Sequence, residues 1–66
     1  MQIRVNGTPQ SVPDQATLSA LLEQLHLTGK RLAVELNGEI VPRSKYSERK
    51  LRDDDVLEIV HAIGGG

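Results

Sequence analysis

The stretch Leu32-Ala33-Val34-Glu35-Leu36-Asn37-Gly38-Glu39-Ile40-Val41 carries the clearest β-signal in the chain. Leu32, Val34 and Leu36 alternate with Ala33 and Glu35, the period-2 pattern of a strand with one buried face. Asn37-Gly38 then supplies two residues that tolerate positive φ, and Ile40-Val41 resumes the apolar run, so a tight hairpin is expected. The N-terminus repeats the device. Met1, Ile3 and Val5 alternate with Gln2, Arg4 and Asn6, and Gly7 follows. The return arm, expected at about residues 10–12, is interrupted by Pro9 and Pro13; a residue with no amide donor suits the edge of a sheet.

Between the hairpins, Leu18, Leu21, Leu22 and Leu25 fall at i, i+3, i+4 and i+7, a helical stripe, with Thr17 in place as its N-cap. Gly29 is expected to end this helix in a left-handed conformation, with Leu27 folding back onto the stripe and Lys30 and Arg31 near the negative end of the helix dipole. After the second hairpin, residues 42–52 are polar and basic. Arg43, Lys45, Arg49, Lys50 and Arg52 surround Tyr46 and Leu51, and a loop with a short helical turn is expected. Asp53-Asp54-Asp55 makes a turn into the final strand. There Leu57 and Ile59 should face the core, while Val56, Glu58, Val60 and Ala62 share the outer face. The result is an α+β domain over residues 1–63, a mixed sheet of four to five strands with one main helix packed on it. Residues 64–66 are expected to form a flexible tail.

Composition narrows the function. A chain of 66 residues buries only about 60% of its unfolded surface, which leaves little room to enclose a substrate. With 8 Lys+Arg against 9 Asp+Glu the net charge is -1, against a general nucleic-acid or anionic-membrane binder. The absence of cysteine excludes disulfides, thiol nucleophiles and thiolate-bound metals. Met1 to Val5 shows no secretory leader pattern, and no apolar run approaches the ~20 residues of a membrane span, so a cytoplasmic location is expected. Tyr46 is the sole aromatic residue, so base stacking and an aromatic pocket are not main themes.

The candidate reactive group is the chain end. Gly64-Gly65-Gly66 can thread a channel too narrow for any Cβ, reaching about 10 Å past the last strand. A terminal carboxylate is ionised at neutral pH and is a poor electrophile until its oxygen becomes a leaving group, as adenylation by ATP makes it. The sequence has no phosphate-binding loop of the GxxxxGK[ST] or GxGxxG kind, so ATP and the activating site would belong to another protein. The other candidates read as structural. His26 sits at the border of the helix stripe near its C-terminus, where the dipole favours a cation. His61 shares the parity of Leu57 and Ile59, and partial burial is expected. Neither has neighbours that complete a metal site, and no metal is expected. Three consecutive aspartates cannot all converge on one calcium ion, so Asp53-Asp54-Asp55 reads as a solvated turn. The basic segment 43–52 is a solvated face with the option of an acidic partner.

Taken together, several motifs resemble the ThiS family of ubiquitin-like sulfur carriers of thiamine biosynthesis, and the resemblance covers the whole chain. They are the opening strand running into Asn6-Gly7, the segment Val34-Glu35-Leu36-Asn37-Gly38-Glu39-Ile40-Val41-Pro42-Arg43, the acidic turn, and the ending Ala62-Ile63-Gly64-Gly65-Gly66. The resemblance implies a β-grasp fold, and a Gly66 carboxylate that a ThiF-like adenylating enzyme activates and a sulfur donor protein converts to a thiocarboxylate. A ThiG-like thiazole synthase would consume that sulfur. The chain would then be no enzyme but a protein co-substrate. The family's glycine pair carries over to Gly65 and Gly66, and Gly64 is an addition that lengthens the reach. By analogy with ubiquitin-like proteins, Glu58, Val60, Ala62 and Ile63 would meet the activating enzyme. The residues leave open a molybdopterin-type carrier, a ubiquitin-like protein modifier and, in a different class, a passive interaction module.

Overall fold

In a computed structural model, which describes residues 1–61, both Asn-Gly pairs turn the chain as their residue types demand. Asn6 and Gly7 have φ of 52° and 82°, and Asn37 and Gly38 have 51° and 87°. Two successive left-handed residues match the twist of the flanking strands and allow two-residue hairpins. The first joins β1 (Gln2–Val5) to β2 (Thr8–Ser11), antiparallel from Val5↔Thr8 to Gln2↔Ser11. β2 therefore starts earlier than the arm expected at residues 10–12, because so tight a turn brings Thr8 directly opposite Val5. Pro9 lies inside the strand, paired with Arg4, and its missing donor is tolerated because β2 is an edge of the sheet. The second hairpin joins β3 (Leu32–Leu36) to β4 (Glu39–Ile40). Val41 extends the contact by donating its N–H to the Val34 carbonyl at 2.9 Å.

The helix α1 (Leu18–Gln24) begins as its sequence dictates. The Thr17 hydroxyl accepts from the Ala20 N–H at 3.1 Å. The two amides before it have no partner within the helix; the loop carbonyl of Arg49 takes the Leu18 N–H at 2.8 Å, and that of Tyr46 takes the Ser19 N–H at 3.0 Å. The basic segment, with its 3-10 turn at Arg43–Lys45, is thus docked on the helix start. The Leu51 N–H donates to the Ala16 carbonyl at 2.8 Å in the same seam.

The C-terminus of α1 departs from expectation. The helix stops at Gln24, and the left-handed residue that ends it is His26 (φ 59°), not Gly29. Leu27 N–H donates to the Leu22 carbonyl at 2.8 Å and His26 N–H to the Glu23 carbonyl at 3.0 Å, the two bonds of a Schellman end. Leu27, partly buried against the core, follows directly on this reversal, so the left-handed residue stands one position before it. Gly29 (φ 83°) serves the next turn instead, and Lys30 and Arg31 lie beyond the last helical turn, which contains no basic residue.

β5 (Val56–His61) completes the sheet by entering between the hairpins, giving the order β2-β1-β5-β3-β4. It runs parallel to β1 and antiparallel to β3. One sheet face is covered: Ile3, Val5, Val34, Leu36, Leu57 and Ile59 pack with Leu18, Leu21 and Leu22 of α1 in one buried cluster, closed by Val12, Ala16, Val41 and Leu51. Burying a leucine of this kind stabilises by about 1.5–3 kcal/mol. His61, expected to be partly buried, is exposed; it lies beyond the β1 pairing, which stops at Leu57. Among the described residues no helix is long and apolar enough to cross a membrane.

Candidate functional site

The face of the sheet opposite α1 is open, and residue parity assigns its members. On β5 these are Val56, Glu58 and Val60, with Val56 45% and Val60 58% exposed. The β3 register sets Ala33 opposite Val60 and Glu35 opposite Glu58, and the β4 register adds Ile40, 65% exposed, opposite Glu35. Arg4 lies beside Val56 from β1. Glu58 and Val60 thus occupy the outer face as their parity predicts. The three large exposed apolar side chains among the described residues, Val56, Val60 and Ile40, share this face with the facing pair Glu35 and Glu58. Like charges directly across a ladder are unfavourable, and grouped exposed apolar residues are a feature of contact surfaces. Ala62, Ile63, Gly64, Gly65 and Gly66 lie outside the described residues.

β5 carries the chain toward these glycines, and polar side chains hold it at both ends. Near its exit, Asn6 Oδ1 accepts from the Ile59 N–H at 2.7 Å, while Asn6 Nδ2 donates to the Ile59 carbonyl at 2.9 Å. At its entry, Asn37 Oδ1 accepts from the Val56 N–H at 3.0 Å, and Asn37 Nδ2 donates to Asp55 Oδ1 at 3.0 Å. Asp55 Oδ2 accepts from the Arg52 N–H at 2.7 Å, and Asp53 Oδ1 from the Gln2 N–H at 2.9 Å.

The acidic turn is therefore more than a solvated run. Asp55 is only 9% exposed, and its carboxylate joins the 52–55 turn to the second hairpin; Asp53 ties the turn to β1. Asp54 supplies the left-handed residue, with φ of 70°. In the sequence Asn6 and Asn37 read as turn residues, and their second role is not visible there, because the partners of Asn6 lie 53 residues away. The one available signal was the choice of Asn at both turns where Gly would satisfy the backbone alone.

The remaining candidates stay apart from β5. His26 is spent on the helix end. In the basic segment Lys45 pairs with Glu48 at 3.7 Å, both side chains largely exposed, a contact worth little in solvent. His26 and His61 are on different elements, and the described residues contain no group of three or more His, Asp or Glu able to hold a metal ion.

A five-stranded mixed sheet with a single helix across one face, built from two hairpins and a last strand between them, is the β-grasp fold of small ubiquitin-like proteins. The chain belongs to the ThiS family: the family's sequence model matches residues 3–66. It is 45% identical over 53 residues to the sulfur carrier protein ThiS of Bacillus subtilis, covering 80% of each chain. The crystal structure of a thiamine biosynthesis protein (ThiS) from Geobacter metallireducens superposes with a TM-score of 0.85 at 32% identity, both chains covered in full. A thiazole synthase of Paramagnetospirillum magneticum is 42% identical over all 66 residues, and there the chain spans only about a fifth (20%) of its relative's length.

Proposed function

We propose that this chain is a sulfur carrier whose reactive group is the carboxylate of Gly66. A carboxylate oxygen attacks the α-phosphorus of ATP in a ThiF-like enzyme, pyrophosphate leaves, and the resulting acyl adenylate is an electrophile. A persulfide on a donor protein attacks the acyl carbon through its outer sulfur and AMP leaves; a second thiol then attacks the donor-side sulfur of the resulting acyl disulfide, forming a disulfide with the donor and releasing the thiocarboxylate. A ThiG-like thiazole synthase then takes the sulfur into the thiazole ring. The chain binds no cofactor of its own in this scheme; ATP is used by the activating enzyme. The cytoplasm is where these partners would meet it.

One observation carries the proposal: the family match runs through residue 66, with the glycines at the end of the matched region. The partner assignment has separate support, since the whole chain also matches a fifth of a thiazole synthase. Gly64, Gly65 and Gly66 thread the partners' active sites, where side chains would be excluded. The open face supplies the docking surface through Glu58 and Val60; Ala62 and Ile63, which complete the proposed contact, lie outside the described residues.

The test is intact mass after incubation with a ThiF-like enzyme, ATP and a sulfur source. The chain should gain the mass difference between one sulfur and one oxygen. No gain with a competent enzyme overturns the proposal, and reductant-resistant adducts on lysine would instead mark a protein modifier. Productive binding to a molybdopterin synthase rather than a thiazole synthase would reassign the pathway. Removing Gly65-Gly66 should abolish transfer and leave the thermal unfolding midpoint unchanged; retained transfer would mean a passive tail.

A further inference from the structure

β5 leaves the sheet with unequal support on its two edges. On the β3 side the pairing continues to Leu32↔His61, the last residue of the strand. On the β1 side it stops at Val5↔Leu57, because the chain turns away at Asn6 and Gly7. The last backbone contact there is the Asn6 N–H to the Leu57 carbonyl at 2.9 Å. Ile59, one pairing step further on, has no strand partner on that edge. The Asn6 side chain stands in for one, accepting from its N–H at 2.7 Å and donating to its carbonyl at 2.9 Å. A carboxamide bears one acceptor and a donor group on the same planar unit, as a peptide does, so it can continue a ladder after the backbone has left.

We infer that Asn6 is a positioning residue for the sulfur-transfer chemistry: by pairing both backbone groups of Ile59 it fixes the direction in which β5 hands residues 62–66 to a partner's active site. The inference rests on the function proposed above. Without the clamp, Ile59 to His61 would be held from the β3 edge alone, and the strand end would open more often. When only a fraction of molecules is competent to bind, apparent affinity falls by that fraction, while the rate at saturation is unaffected. The backbone conformation does not require the amide: at φ of 52° glycine is the residue of least strain.

Asn6→Gly is the decisive variant, because it keeps the turn and deletes the clamp. The measurements are ATP-dependent activation by a ThiF-like enzyme over a range of carrier concentrations, and amide hydrogen exchange at Ile59 and Val60, both far below the unfolding midpoint. Exchange at these amides should accelerate roughly fivefold, and KM for the carrier should rise with kcat unchanged. Asn6→Asp keeps the bond from the Ile59 N–H but sets a carboxylate against the Ile59 carbonyl, so its KM should fall between the two. A purely structural role predicts faster exchange with an unchanged KM, and that result overturns the assignment, as does unchanged exchange at Ile59. If the unaltered chain is not activated at all, the proposed function falls and this assignment with it. If the unaltered chain is activated and Asn6→Gly matches its KM, the assignment alone falls.

Discussion

The two Asn-Gly turns share one backbone geometry and do different work. Their φ angles agree within a few degrees, and each closes an antiparallel hairpin. Yet the Asn37 carboxamide reaches the entry of β5 and the buried Asp55, whereas the Asn6 carboxamide reaches the exit of β5 at Ile59. Local turn chemistry made the two sites equivalent, and the strand inserted between the hairpins made them different. His26 supplies a third member of the comparison. It adopts the same left-handed conformation, with φ of 59°, but is exposed, and among the described residues its imidazole makes no hydrogen bond. Positive φ favours glycine and tolerates asparagine; at these two turns the asparagine side chain is used as well.

The entry network should be the costlier to break. Asp55→Ala would leave the Asn37 amide and the Arg52 N–H without their shared acceptor, a loss of about 2–3 kcal/mol given the strength of hydrogen bonds to a charged group. Chemical denaturation measures it, and a loss below about 1 kcal/mol, the value of an ordinary hydrogen bond, would remove the carboxylate from the network. Next comes Asn37→Gly, which keeps the turn but frees the Val56 N–H and one oxygen of Asp55. It should cost about 1–2 kcal/mol by the same denaturation measurement.

Asn6→Gly should cost about 1 kcal/mol in global stability, its larger signature being the local exchange described above. His26→Gly carries the opposite sign: the same change of residue class should raise stability by about 0.5–1 kcal/mol, since nothing but strain is lost. A loss at His26 would show that its imidazole has a partner, and would end its use as the idle control. The smallest effect expected is the coupling between Asn6→Gly and Asn37→Gly. They grip different ends of β5, so their costs should add within about 0.5 kcal/mol; a stronger coupling in the double variant would mean that the clamps act as one unit.

Much of the fold was legible because it is written in short-range patterns. Alternation located β1, β3 and β5, the stripe Leu18, Leu21, Leu22 and Leu25 located α1, with Leu25 now its C-cap, Thr17 marked its start, and Asn-Gly marked both turns. The errors fall where a distant contact overrides a local preference. Glycine at position 29 is the better local helix terminator, but the two closing bonds from His26 and Leu27 set the stop at His26. Asp55 looked like one of three equivalent carboxylates until the second hairpin arrived beside it. For the candidate site, the outward parity of Glu58 and Val60 could be read from one strand. That Val56, Val60 and Ile40 gather on one uncovered face could not, since it depends on the order in which the strands pair.

The sequence by itself determined the order of the elements, the start of the helix, the two Asn-Gly turns and the glycine ending, because each depends on residues within a few positions of one another: side-chain periodicity, φ tolerance and capping. Only the tertiary structure decided that β5 lies between the hairpins and that Asn6 and Asn37 hold its two ends. Those assignments rest on hydrogen bonds between residues up to 53 positions apart, which depend on the strand order and register and not on any local pattern.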